Sequence, residues 1–363
     1  MIDFRYHLVS IVAVFLALAI GIVLGSTALQ GSTLDVLRST VGSLQNQLTG
    51  AQAQSASNAQ LANADDNLLQ SAEPKLLNGM LAGDNLVLVT EPGASSAVIG
   101  GIQTAAKDAG AVITGTITLQ QKFNDLSGAT RANLNAINTE VAPPYGIAPA
   151  PAADTQTAYQ QDAAQVIAAA VLQSAADEPG QLTMSDAQTI LKAYVDGGYL
   201  SYNGSPFGTA TDSAGITTGR ATLAVIVAPP ASATDGPNNP ADEVLLALVG
   251  QFATAGAASV VAGGPVSQSL STSPISVLRN SSVSSQVSSV DNADTRVGQI
   301  TAMWALAHQL QGGKPGSYGI SSGATAVTVS PVPSPVPSVT PTPTVTPTTT
   351  TGTGKVKKTV STK

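Results

Sequence analysis

Hydrophobic and polar positions change rhythm twice along the chain. From Leu8 to Leu29 the run LVSIVAVFLALAIGIVLGSTAL carries no charge over twenty-two residues. A helix of that length spans a hydrocarbon core of about 30 Å. After the run, Leu34, Leu37, Val41, Leu44 and Leu48 fall at the a and d positions of a heptad. The same register continues through Ala51, Ser55, Asn58, Ala62, Asp65 and Leu69. Two heptads of this seam are strongly apolar and the remainder is small or polar. The pattern predicts a helical stalk to about Met80, which either pairs two copies or packs back on its own domain.

From Asp84 the rhythm becomes one of short buried strands separated by helices. Leu86-Val87-Leu88-Val89 reads as a strand and Glu91-Pro92-Gly93 as a turn. A helix capped by Ser95 then runs to Ala109 and stops at Gly110, and Ala111-Val112-Ile113-Thr114 begins a second strand. A right-handed crossover makes that pair parallel. The proline-alanine loop Pro143–Pro151 precedes two helices, one from Asp154 to about Ser174 and one over Asp186–Val195 capped by Ser185. Tyr199–Tyr202 reads as a short strand. Strands at Leu223–Val227 and Ser259–Val261 flank a helix from Asp242 to about Ala255, and the second closes in Gly263-Gly264. Pro274–Leu278 fits either state, Val283–Val290 alternates at a strand period, and Thr295–Gln311 reads as a helix stopped by Gly312-Gly313. Such alternation predicts an α/β domain, doubly wound and Rossmann-like or flavodoxin-like, over residues 83–322.

The ends refine this division. Residues 1–7 form a head whose Arg5 favours a cytoplasmic N-terminus, with the span over 8–29, the stalk over 30–82 and the bulk of the chain outside the cytoplasm. The other reading of the span is a cleaved signal peptide, for which Ser26-Thr27-Ala28 offers a small-residue site, although its apolar run exceeds the usual core. Residues 323–363 are expected to be a disordered tail. Val327–Gly354 is Val, Pro, Thr and Ser without a charge, and Lys355, Lys357, Lys358 and Lys363 make the end basic. The formal net charge of −7 argues against a nucleic-acid partner. No cysteine is present, which removes disulfides and thiolate metal sites.

The opening MIDFRYHLVSIVAVFLALAIGIVLGS resembles the start of the actinobacterial copper transport protein B family. VLVTEPGA near 87–94, VIVAPP at 225–230, VVAGG at 260–264 and SSVDNADTRVGQITAMWALAHQLQGGKPGSYG at 288–319 agree with it. The resemblance covers nearly the whole chain to Gly319, most specifically in the head and in DNADTRVGQ. It implies a membrane protein of the cell envelope tied to copper export or tolerance.

The residues themselves speak less directly for copper. Soft Cu(I) prefers thiolate and thioether ligands and Cu(II) prefers imidazole. The chain offers Met1, Met80, Met184, Met303, His7 and His308, no two of them at ligand spacing. No metal, cofactor or catalytic residue is assigned. Neither a Gly-x-Gly-x-x-Gly or Walker loop nor a Gly-x-Ser-x-Gly elbow is present. The best polar cluster is Ser288–Thr295, leaving a strand and entering a helix. There Asp291, Asn292 and Asp294 either line a ligand crevice beside Gly263 and Gly264 or only shape the turn. Two function classes follow: a copper-homeostasis membrane protein, and a non-enzymatic envelope scaffold, dimeric through its stalk, that presents a binding domain to cell-wall or envelope partners.

Overall fold

The computed structural model describes residues 4–148, 155–173, 182–203, 219–231, 239–264 and 273–335. Asp154, Ser174, the end of the Pro143–Pro151 loop and the tail beyond 335, with its four lysines, lie outside them. The chain divides into two compact units, Met1–Ser71 and Ala72–Lys363.

The first unit is one helical rod. Helix α1 (Phe4–Leu77) is continuous over 74 residues. Ala, Leu, Gln and Ser dominate it and its one proline, Pro74, comes near its end, so propensity alone favours the helix. Tyr6–Gly25 is long and apolar enough to cross a membrane, and no other helix among the described residues is. Farther along, Leu37, Val41, Leu44 and Leu48 are 45–59% exposed in the single chain.

The second unit begins with the last turns of α1, whose Leu77 is fully buried, as is Leu81 just beyond. Its strands are β1 (Asn85–Thr90), β2 (Val112–Leu119), β3 (Leu200–Asn203), β4 (Leu223–Val227), β5 (Ala258–Ala262), β6 (Ser288–Val290) and β7 (Ser317–Tyr318). They form one seven-stranded sheet in the order β3-β2-β1-β4-β5-β6-β7. Every pairing is parallel except β2 with β3. β4 and β5 are buried at every residue, as expected for strands covered on both faces. Side chains alternate accordingly. Val87, Val89, Ala224, Ile226 and Val261 share a core with α4 (Ala158–Val171), α5 (Met184–Asp196) and α6 (Pro240–Ala255). On the other face lie α2 (Ser96–Asp108) and α8 (Arg296–Leu310).

Several local expectations change. Helix α3 (Gly128–Val141) falls where the pattern predicts none, because its alanine- and asparagine-rich sequence shows little periodicity and only Leu134, Asn138 and Val141 are buried. Thr183, not Ser185, caps α5, in a reciprocal box where Thr183 Oγ1 accepts from the Asp186 amide and Asp186 accepts from the Thr183 amide. Ser95 stands at the N-cap of α2, but its side chain makes no capping bond. Pro274–Arg279 is helix α7. Val283–Val290 is a strand only from Ser288, since Ser281, Ser284 and Ser285 bond carbonyls three residues back and wind Ser282–Ser285 into a 3₁₀ turn.

The packed chain also continues past residue 322. Thr325 bonds Ser317, Thr301 Oγ1 donates to Thr328 Oγ1 at 3.0 Å, and Val329 is 2% exposed. Residues 323–335 therefore belong with the domain rather than with the tail. The apolar side chain at 329 is buried, which an extended tail would leave in solvent.

Candidate functional site

Polar side chains gather where the parallel strands end, because helix entry and strand exit both leave backbone groups to satisfy there. At the end of β6, Asp291 is fully buried. Its carboxylate accepts from Arg279 Nη1 at 2.6 Å and from the amides of Ile320 and Ser321 at 2.8 and 3.0 Å. Arg279 also donates to Ser289 Oγ and to the Tyr318 carbonyl. A Cβ at Gly319, whose φ is +129°, would collide with this carboxylate. The pair clamps α7, β6 and the turn after β7 together.

Asn292 is 4% exposed. Its carbonyl accepts from the Thr295 amide and hydroxyl, while its Oδ1 has no partner among the described residues. Thr295 caps α8 by accepting from the Gly298 amide at 3.2 Å. Gly298 lies so close to the Asn292 backbone that any side chain there would collide with it. The Gly263 amide donates to Val290 O and its carbonyl accepts from Ala293, so the ends of β5 and β6 are adjacent. Gly264 has open space around it. Asp294 is exposed at the surface of this turn, and desolvation by the protein around its carboxyl, with the charge of Asp291, raises it from the ordinary value. Of the five residues singled out in sequence, Gly263 and Asn292 are thus brought together, whereas Asp291 has its carboxylate committed to Arg279 and two amides.

A second group lies between β1 and β4, where the sequence pattern shows only a turn. The Glu91 amide donates to Val227 O at 3.0 Å, and Gly93 turns the chain at φ +84°. The Glu91 side chain is 3% exposed. Burial pushes its carboxyl up to about 7, opposed by a hydrogen bond from Asn124 and reinforced by the charge of Asp242. Nothing in the local sequence separates this glutamate from an exposed turn residue. Only the entry of the 3₁₀ turn Gln121–Asn124 and of α6 over it makes the difference.

Sulfur and imidazole donors are dispersed. Met80 and Met303 are buried, Met184 is half-buried against the core, and His308 is half-buried in the last turn of α8. Among the described residues no three His, Cys, Asp or Glu side chains are grouped to hold a metal ion.

The fold and site define a class: an α/β domain behind a membrane-length N-terminal helix, with its polar groups at the carboxyl edge of a mostly parallel sheet. Residues 1–329 match the family described as "Copper transport outer membrane protein, MctB", and the chain belongs to that family. It is 28% identical over 333 residues to the proteins named Copper transporter MctB of Mycobacterium bovis and Mycobacterium tuberculosis, covering 91% of this chain and 100% of theirs. The protein of that name from Mycobacterium leprae is 28% identical over 332 residues, covering 91% and 99%.

Proposed function

We propose that this protein is a single-pass, non-enzymatic member of the cell envelope that serves copper transport or homeostasis as part of an assembly. The observation that carries the reading is the family match over residues 1–329 in a chain whose one membrane-length helix among the described residues has no ionisable residue between Leu8 and Leu29. One helix cannot enclose a pore, and ion pathways are lined by polar groups. Copper is then cargo handled with partners, and the span is an anchor with Arg5 on the cytoplasmic side. The strand order supports a Rossmann-like rather than a flavodoxin-like domain, with β3 as an antiparallel edge. In such sheets ligands sit beyond the strand ends, and Gly263, Gly264, Asn292 and Asp294 form the rim of such a crevice, with Asp291 beneath it as its support.

The exposed seam Leu37, Val41, Leu44 and Leu48 favours a second element of the same reading, dimerisation through a coiled-coil stalk. A strain lacking the protein is the test. Raised cellular copper and copper sensitivity, both restored by the full chain, are expected. Unchanged copper content and tolerance beside a defect in cell separation would replace the copper role with a scaffold role.

A further inference from the structure

We propose that the carboxyl end of β1 holds a site for a hard divalent cation, formed by the Glu91 carboxylate, the Asn124 side-chain carbonyl and the Asp242 carboxylate. The sheet order places β1 between β2 and β4, so the chain leaves β1 toward one neighbour and returns to the sheet at the other. Crevices at such reversals are where open α/β sheets bind ligands. Glu91 closes β1 and bonds the end of β4, Asn124 ends the 3₁₀ turn after β2, and Asp242 lies in the first turn of α6 after β4.

The independent sign is unmet hydrogen-bonding demand of one kind. Among the described residues, Glu91 Oε1 is buried with no partner, and so is Asn124 Oδ1, although the Asn124 amide already donates to Glu91. Both orphans are acceptors, so the missing partner brings positive charge or a donor. A buried acceptor left unmet costs about 1–3 kcal/mol, more when charged. Asp242, 5% exposed, adds a second carboxylate of the same sign, and no cationic side chain among the described residues acts on Glu91. Two carboxylates and an amide carbonyl make an all-oxygen set, the preference of Ca²⁺, Mg²⁺ and Mn²⁺ rather than of softer ions. The depth of Glu91 and Asp242 suits a bare ion, with water completing its shell, over an organic amine.

The site is independent of the copper reading. It is tested on the full chain in detergent, stripped of metal and titrated with Ca²⁺, Mg²⁺ and Mn²⁺ by calorimetry and by thermal midpoint. At pH 7.5 one ion per chain is expected, with a raised midpoint. Affinity should fall about tenfold per pH unit below 7, since the ion displaces the Glu91 proton. Glu91→Gln removes a buried charge and folds, yet should lose binding at least tenfold. Asp242→Asn should weaken it, and the exposed Asp294→Asn should leave it intact. Three results each overturn the proposal: no midpoint shift with any of the three ions, binding unchanged in E91Q, or Glu91-dependent binding of Cu²⁺ alone. The first, together with titration of Glu91 near 7, would show that a proton by itself satisfies the site.

Discussion

Two buried carboxylates, one at the end of β1 and one at the end of β6, are held in opposite ways. Asp291 has Arg279 and two amides, so its charge is matched within the fold. Glu91 has one amide donor and a second carboxylate nearby, and its carboxyl is raised from 4.5 to about 7. A raised acid binds its proton more tightly in the folded state, so its contribution to stability is full below about pH 4.5 and is lost as pH rises through about 7. Without added metal, Glu91→Gln should therefore match the parent near pH 4.5 and exceed it at pH 8. The gap should reach up to about 3 kcal/mol, since each tenfold change in proton affinity is worth about 1.4 kcal/mol. Parallel melts at the two pH values measure this, and an equal midpoint at pH 8 would show that Glu91 is ionised without cost. Neither environment was legible in the sequence. DNADT announced a strand-to-helix turn, but the partners of Asp291 come from α7 and from the turn after β7, and only the folded sheet brings them together.

Strands and long helices were the legible elements. Leu223–Val227 reads as a strand from five apolar residues before a Pro-Pro pair, and it is one to the residue. Burial on both faces leaves such strands uniformly apolar. Where serine competes for its own backbone, as in Ser281–Ser285, the alternation with valine misleads. The stalk presents a different problem, because its seam faces outward in one chain and its partner is not encoded in periodicity alone. Leu37→Asn with Leu44→Asn removes two seam residues that are 59% and 58% exposed. Their loss should shift sedimentation in detergent from dimer to monomer while leaving the thermal midpoint of the α/β unit unchanged. A midpoint that falls instead would mean that the stalk packs on its own chain.

On the scale of the molecule, the folding unit is wider than the strand-and-helix alternation. It begins before β1, with Leu77 and Leu81 fully buried and Glu73 bonding Arg296 at 2.7 Å. It ends beyond β7, with Val329 in place. A chain begun at Asp84 lacks two buried leucines, each worth roughly 1.5–3 kcal/mol, and leaves Arg296 without this carboxylate. It should melt well below a chain begun at Ala72, or fail to fold. At the other end, cutting after Ser322 should lower the midpoint by several degrees through loss of Val329 and the Thr301–Thr328 bond, whereas cutting after Pro335 should leave it unchanged. Equal midpoints for the two cuts would return residues 323–335 to the tail.

Trp304 is the sole tryptophan of the chain, 9% exposed, and its indole N–H donates to the Leu76 carbonyl at 3.3 Å. The molecule therefore contains a built-in optical reporter at the seam between the final turn of α1 and α8. Emission should lie toward the blue while those turns stay docked. It should shift red, and become open to quenching by iodide, when they lift away, even while the sheet persists. Comparing the emission transition with the far-ultraviolet transition during denaturation would reveal whether the end of the long helix detaches before the domain melts.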